Sequence, residues 1–427
     1  MKIFFSVGEP SGDIHGANLI HDLRREMPEV ECVGYGGPMM KAAGCKLHAD
    51  LTELAVMWFL TVFLNIHRFW RLLSEADRYF RHHRPDAVVM IDYPGFNWWI
   101  ARRAKAHGIP VFYYGTPQLW AWASYRVKKM RRFVDHILCK LPFEPKWYAD
   151  RGCHATYVGH PFFDEVERYQ LDEEFMSEQQ AKEGPLVAIL PGSRGSEVTN
   201  NLRWLLKAAA IVRERVPTAR FSLASFKESQ ADMARDEVEA ASLPIEIHVG
   251  RTAEIIESAA CCMAVSGSVS LELMQRTTPT VILYWVNRRT MMLMKYVLRL
   301  KVKFITLVNL MAEEEPFDDH PEPFDPTAPG ADRVPMPEYP TCEDKSEQLA
   351  AHLITWLTDE SARLKKVEQL TALKKKYGAS GASRRAAEYI ATAMRAESKR
   401  PEVPAPHFLA TEASDRRADL AGPIERS

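Results

Sequence analysis

The sequence predicts an α/β protein of two doubly wound domains in tandem, facing each other across a cleft. Three observations carry this expectation. Strand-like apolar runs alternate with helical stretches through the first 160 residues and again from Leu186 onward, the pattern of parallel sheets wrapped by helices. The chain has 427 residues, more than one hydrophobic core usually organises. Between the two alternating sets lies a polar, charged connection, Asp172-Glu173-Glu174 and Ser177-Glu178-Gln179-Gln180, which places the boundary near residues 164–184.

The first set opens with a strand over Ile3 to Val7, because Met1 to Val7 is too short for a signal-peptide core and runs straight into Gly8-Glu9-Pro10-Ser11-Gly12-Asp13. The two glycines of that turn let backbone approach a ligand, although neither the dinucleotide spacing nor the Walker lysine is present. A helix from about His15 to Met27 and a strand at Cys32-Val33 follow.

Leu54 to Leu73 reads LAVMWFLTVFLNIHRFWRLL, which is interrupted too often by polar residues for the roughly 20 apolar residues of a spanning helix. On a helix it presents an apolar face with Trp58, Val62, Ile66 and Phe69. A core helix fits this pattern best; a helix dipping into a bilayer surface, with cations among aromatics, is the alternative.

Val88 to Ile91 is the most informative strand. Its apolar run ends in Asp92-Tyr93-Pro94-Gly95-Phe96-Asn97, with Pro94-Gly95 as the turn and Asn97 as the cap of a helix from Trp98 to His107. Ligands sit at such strand ends, so Asp92 is either an acid at a cleft mouth or one that hydrogen-bonds loop amides. Strands at Val111 to Tyr114 and Ile137-Leu138 complete the set.

The second set comprises Leu186 to Leu190, Phe221 to Leu223, Ile245 to Val249, Cys262 to Val265 and Thr280 to Leu283. After its first strand, Pro191-Gly192-Ser193-Arg194-Gly195-Ser196 precedes an amphipathic helix. Glycines, a helix start and an arginine suit a phosphate or diphosphate. A second loop, Ser266-Gly267-Ser268, leads to Glu272 one turn into a helix. Ser268 suits phosphate oxygens, and Glu272 either accepts from ribose hydroxyls or is a surface acid. Two such loops favour a nucleotide held by this domain.

Residues 313–341 hold eight of the 27 prolines and a heavy acidic load, which reads as an irregular insertion. Asp318-Asp319-His320 within it reads as solvated loop rather than a metal site. Helical patterns return from Asp344, and the last thirty or so residues read as disordered.

Composition limits the functional classes. The 55 basic and 56 acidic side chains give a net charge of -1, which supplies no field for nucleic acid. Seven cysteines without a C-x-x-C spacing argue against zinc or redox work and fit a reducing cytoplasm.

GEPSGD, IDYPGFN, TPQLWAW at 116–122, LPFE at 141–144, VGHP at 158–161, LPGSRGSEV and SGSVSLE occur in the order and approximate spacing of the lipid-A-disaccharide synthase family, which the chain resembles from Lys2 to Asn309 and again in its C-terminal helices. The resemblance implies a GT-B-like fold of two Rossmann-like domains. Residues 1–164 would form the acceptor and membrane-facing domain, 185–360 the UDP-binding domain, 361–395 C-terminal helices and 396–427 a tail.

It also implies transfer of 2,3-diacylglucosamine from UDP-2,3-diacylglucosamine to 2,3-diacylglucosamine 1-phosphate, with inversion and without a cofactor or required metal. The cytoplasmic face of the inner membrane would be a peripheral partner, and a homodimer is one open oligomeric state.

Residue by residue, the family's catalytic acid falls on Asp92, with Glu9 and Asn309 also in the active site. UDP contacts fall on Ser193, Arg194, Ser266, Gly267, Ser268 and Glu272; the acylated substrates of the family, with the mixture of aromatics and arginine in Leu54 to Leu73, make Trp58, Phe59, Val62, Ile66 and Phe69 the membrane or acyl-facing residues. The chain departs from the pattern at Gly95, where many members carry an acid, at Ser268 in place of threonine, and in the insertion after Asn309. The rival readings are a UDP-sugar 2-epimerase and a non-catalytic UDP-sugar sensor.

Overall fold

The computed structural model describes residues 1–52, 66–298 and 300–397. The first sheet contains β1 (Lys2–Val7), β2 (Glu31–Gly36), β3 (Lys46–Asp50), β4 (Ala87–Ile91), β5 (Val111–Tyr114), β6 (His136–Cys139) and β7 (Ala155–Tyr157), all parallel, in the order β3-β2-β1-β4-β5-β6-β7. The second contains β8 (Leu186–Leu190), β9 (Arg220–Ser225), β10 (Ile245–Val249), β11 (Cys261–Val265), β12 (Thr280–Trp285) and β13 (Glu338–Thr341), also parallel, in the order β10-β9-β8-β11-β12-β13. Helices cover both faces, so the central strands β4, β8 and β11 are buried along their whole length and read as unbroken apolar runs.

Each order reverses once, between β1 and β4 in the first sheet and between β8 and β11 in the second. A crevice opens at such a reversal, outside the carboxyl ends of the strands. The residues that leave those four ends are Gly8-Glu9, Asp92-Tyr93, Pro191 to Arg194, and Ser266 to Ser268. These are the four loops that sequence singled out.

Three strands escape the sequence reading, and all three are edges. β3 and β7 are only partly buried: β3 alternates polar and apolar residues over just five positions, and β7 has three residues, too few to show a period. β13 lies within 313–341 and contains Pro340, which an edge strand tolerates because one side of its ladder is empty. The insertion is therefore not irregular throughout: Met336, Glu338 and Tyr339 are buried. Phe317 packs on Trp120 and Phe143 of the first domain, with ring centroids 6.3 and 5.6 Å apart.

The C-terminal helices divide. Ser346–Thr358 sends Leu349, Ala350 and Leu353 into the second core. Ala382–Glu397 returns to the first, where Ala386, Ala387, Ile390, Ala391 and Met394 join Ile3, Phe5 and Val7. Asp164 receives this last helix, its carboxylate accepting from the amides of Gly381, Ala382 and Ser383 at 2.6, 3.0 and 2.9 Å. The helix reaches two residues into the segment expected to be a tail; 398–427 lie outside the described residues.

Trp58, Phe59 and Val62 also lie outside the described residues. The helix Ile66–His83 is described. Its Phe69 is half-buried against the first core and 5.8 Å from the Phe96 ring, with Leu72 and Leu73 buried beside it, so this part of the segment packs as a core helix. Trp70 and Trp99 remain exposed as a pair 5.8 Å apart. No helix among the described residues is long and apolar enough to cross a membrane.

Candidate active site

Asp92 and Tyr93 both sit at positive φ, 45° and 44°. That left-handed conformation costs a non-glycine residue about 1–3 kcal/mol unless its surroundings impose it. Here they do. The Asp92 carbonyl accepts from the Asn97 side-chain amide at 2.8 Å and from the Tyr113 hydroxyl at 2.8 Å. Asn97 is fully buried and its Oδ1 accepts from Ser6 Oγ at 2.6 Å, which ties the turn to β1.

The helix that follows is Pro94–Ala106 and starts earlier than expected. Pro94 and Gly95 are its first residues rather than a turn, because the fixed φ of proline suits the first helical position. Asn97 consequently lies inside the helix and braces the turn behind it instead of capping. Nothing crowds Gly95, so that departure from the family pattern leaves open space.

With its carbonyl pinned, Asp92 directs its carboxylate to Lys140, whose Nζ lies 3.3 Å from Oδ1. Glu9 stands close by. Burial, then the Asp92 charge, raise the Glu9 carboxyl above the ordinary range, while Lys140, Arg194 and the Tyr93 amide pull it back. Gly8 makes this approach possible: a Cβ there would run into the Tyr93 ring.

Glu144, absent from the expected site, supports Lys140 from below. Wholly buried, it accepts from the amides of Lys140 and Leu141 at 3.0 and 2.9 Å and from Trp120 Nε1 at 3.0 Å. Burial raises its carboxyl against those bonds. His160 is buried nearby and held well below its usual value, chiefly by burial and then by Lys140 and His15.

Across the cleft, the Arg194 guanidinium is largely exposed and within electrostatic reach of Glu9. The Ser193 and Arg194 amides do not stand open as expected. Glu197, one turn into the helix Gly195–Arg215, folds back so that Oε2 accepts from both at 3.0 and 3.2 Å, and Oε1 pairs with the guanidinium at 3.2 Å. Gly192, at φ 111°, leaves room for that carboxylate. A carboxylate already occupying this loop is an internal example of the anion the loop was expected to take.

In the second loop Gly267 and Ser268 are exposed, and Ser266 Oγ reaches the Ile305 carbonyl at 3.5 Å. Glu272 is mostly buried. Burial raises its carboxyl, partly offset by Arg276 at 3.3 Å, so it is not the surface acid of the alternative reading.

The family model for lipid-A-disaccharide synthetase matches residues 3–322. The lipid-A-disaccharide synthase of Trichlorobacter lovleyi is 32% identical over 390 residues, covering 91% of this chain and 96% of the relative. That of Syntrophus aciditrophicus is 31% identical over 395 residues, covering 92% and 98%. The chain belongs to the lipid-A-disaccharide synthase family. As a member it is a glycosyltransferase, and solved structures agree on the fold. The glycosyltransferase of kitacinnamycin superposes with a TM-score of 0.59 at 15% identity, covering 91% of this chain and 98% of that one. UDP-GlcNAc 2-epimerase from Neisseria meningitidis gives 0.60 at 10%, covering 92% and 100%. At such identities the likeness to epimerases is one of architecture alone.

One residue of the expected lipid-A-disaccharide synthase site is differently placed. Asn309 is completely buried, and both ends of its amide are engaged: Nδ2 donates to the Met336 carbonyl at 2.7 Å and to Glu338 Oε2 at 3.0 Å, and Oδ1 accepts from the Met336 amide at 3.0 Å. Glu338 accepts in turn from the Ile305 and Thr306 amides at 2.7 and 3.0 Å. Asn309 thus fixes the segment whose Ile305 carbonyl meets Ser266. The family motifs led to Asp92, Glu9 and Arg194. Neither Lys140 nor Glu197 was legible, because their roles depend on where a side chain reaches after folding.

Proposed function

We propose that the chain catalyses formation of a lipid A disaccharide 1-phosphate. It would take 2,3-diacylglucosamine from UDP-2,3-diacylglucosamine and join it, with inversion, to the 6-hydroxyl of 2,3-diacylglucosamine 1-phosphate. Asp92 is the base that accepts the hydroxyl proton as the hydroxyl oxygen attacks the anomeric carbon. The bond to UDP breaks on the opposite face, and UDP leaves with the electron pair. Positioned bases of this kind contribute about 10²–10⁴-fold.

Glu9, whose carboxyl is raised by burial and by the neighbouring Asp92, orients the acceptor sugar. Ser193, Arg194, Ser266, Gly267 and Ser268 receive the diphosphate, and Glu272 the ribose. Asn309 acts through the 303–309 segment and not on the reacting atoms. The observation that carries this reading is the position of Asp92, Glu9 and Arg194 at the carboxyl ends of the strands where each sheet reverses its order, with Arg194 within electrostatic reach of Glu9.

The acylated substrates imply a peripheral position on the cytoplasmic face of the inner membrane. The segment containing Trp58, Phe59, Val62 and Ile66 would provide the contact, flanked by the exposed Trp70 and Trp99. Phe69 supports the helix from its buried side. Incubation with both acylated sugars tests the reaction. UDP and a disaccharide phosphate should appear together; UDP without the disaccharide, or neither, refutes it. Replacing Trp58 and Phe59 by serine should weaken vesicle binding with the fold intact, and unchanged binding refutes the membrane role.

A further inference from the structure

Lys140 is the cation nearest the proposed base, and nothing in the family motifs assigns it a part. It immediately follows β6, at whose end its backbone amide is held by Glu144 Oε2 at 3.0 Å. Its Nζ spans to Asp92 Oδ1 at 3.3 Å, and the two side chains are 16% and 17% exposed. An ion pair so sheltered is screened little by salt, and removing one partner leaves the other charge poorly compensated.

The surroundings make Lys140 the principal compensation for Asp92. Facing the pair are Glu9 from the turn after β1, Glu144 from the start of the helix Glu144–Ala149, Tyr113 and Tyr114 from β5, His160 from the turn after β7 and, beyond Glu9, Arg194 from the second domain. Tyr113 is fully buried, which pushes its phenol well above the ordinary range, so it stays neutral. Burial opposes charging Lys140, but Asp92, Glu144 and Glu9 more than offset it, and its pKa lies above the usual lysine value. Three carboxyl groups therefore share one sheltered ammonium on the first domain.

We infer that Lys140 is a positioning residue for Asp92, its ammonium holding the carboxylate in one orientation beside Glu9 until the acceptor hydroxyl arrives. This rests on the reading of Asp92 as the base. It predicts a dependence on pH that a merely structural lysine would not produce. Without the ammonium, two neighbouring carboxyl groups compete for ionisation, and the active form is populated only at higher pH.

The test is kcat/KM for both acylated sugars from about pH 5 to about pH 9 in wild type, Lys140→Met and Lys140→Arg. Lys140→Met should move the acid limb upward by about one pH unit or more, with much of the lost rate recovered in alkali and UDP affinity near wild type. Lys140→Arg keeps the charge and should leave the limb in place. A folded Lys140→Met whose limb has not moved overturns the inference, as does an equal loss at every pH. Should Lys140→Met fail to fold, Lys140→Gln must show the same displacement, and its absence there is equally decisive. Wild-type protein that makes no disaccharide fails the functional reading itself, and this inference falls with it; active wild type with an unmoved limb fails only the inference.

Discussion

The side-chain amide of Asn97 donates to the backbone carbonyl of Asp92 over 2.8 Å, and through Ser6 it ties that carbonyl to the neighbouring strand. Two consecutive left-handed residues are thereby held without a glycine. Asn97→Ala should destabilise the protein by about 1–3 kcal/mol, the cost of leaving buried polar groups unsatisfied. Because the turn carries the proposed base, turnover of the folded fraction should fall too. Chemical denaturation and single-turnover kinetics on one preparation check both; a destabilised variant with normal turnover would make Asn97 purely structural.

Asp92→Asn separates an enzyme from a UDP-sugar sensor. It keeps size and most hydrogen bonding but removes the charge, so kcat should fall about 10²–10⁴-fold. UDP affinity, which the proposed site places on the second domain, should hardly change. A folded, UDP-binding variant with near wild-type chemistry removes Asp92 from the mechanism.

Arg194→Ala should leave stability within about 0.5 kcal/mol, because the side chain is 79% exposed. Its rate should drop about 10²–10³-fold, as when a transition-state charge donor is lost. UDP binding, followed by calorimetry, should weaken in parallel. Unaltered UDP affinity would move the nucleotide away from the loop after β8.

His160 gives a pH dependence of stability. Burial holds its folded-state value well below the ordinary 6.5, so the native state binds fewer protons than the unfolded chain. Its contribution is fully present above about pH 6.5 and is lost as the pH falls from there. Melting temperatures at about pH 7.5 and about pH 5 should show a larger acid-induced drop in wild type than in His160→Asn. Equal drops would assign the acid sensitivity to other groups.

The sequence by itself determined the central strands and the four loops at their carboxyl ends. A strand buried on both faces must be a continuous apolar run, and the residues that break the run are those that leave the sheet at its ligand-binding edge. Asp92 and Arg194 therefore stood out as candidates before any contact was known, whereas Glu9 was singled out only by the family resemblance. Tertiary structure alone decided the rest. Edge strands β3, β7 and β13 are short and half-exposed or proline-containing, which leaves too little sequence for a period to stand out. The start of the helix at Pro94, the return of Ala382–Glu397 to the first core, the folding back of Glu197 and the reach of Lys140 to Asp92 depend on which surfaces meet. Local periodicity carries no information about partners 48 or 218 residues away; burial and charge compensation select them only once the chain has closed on itself.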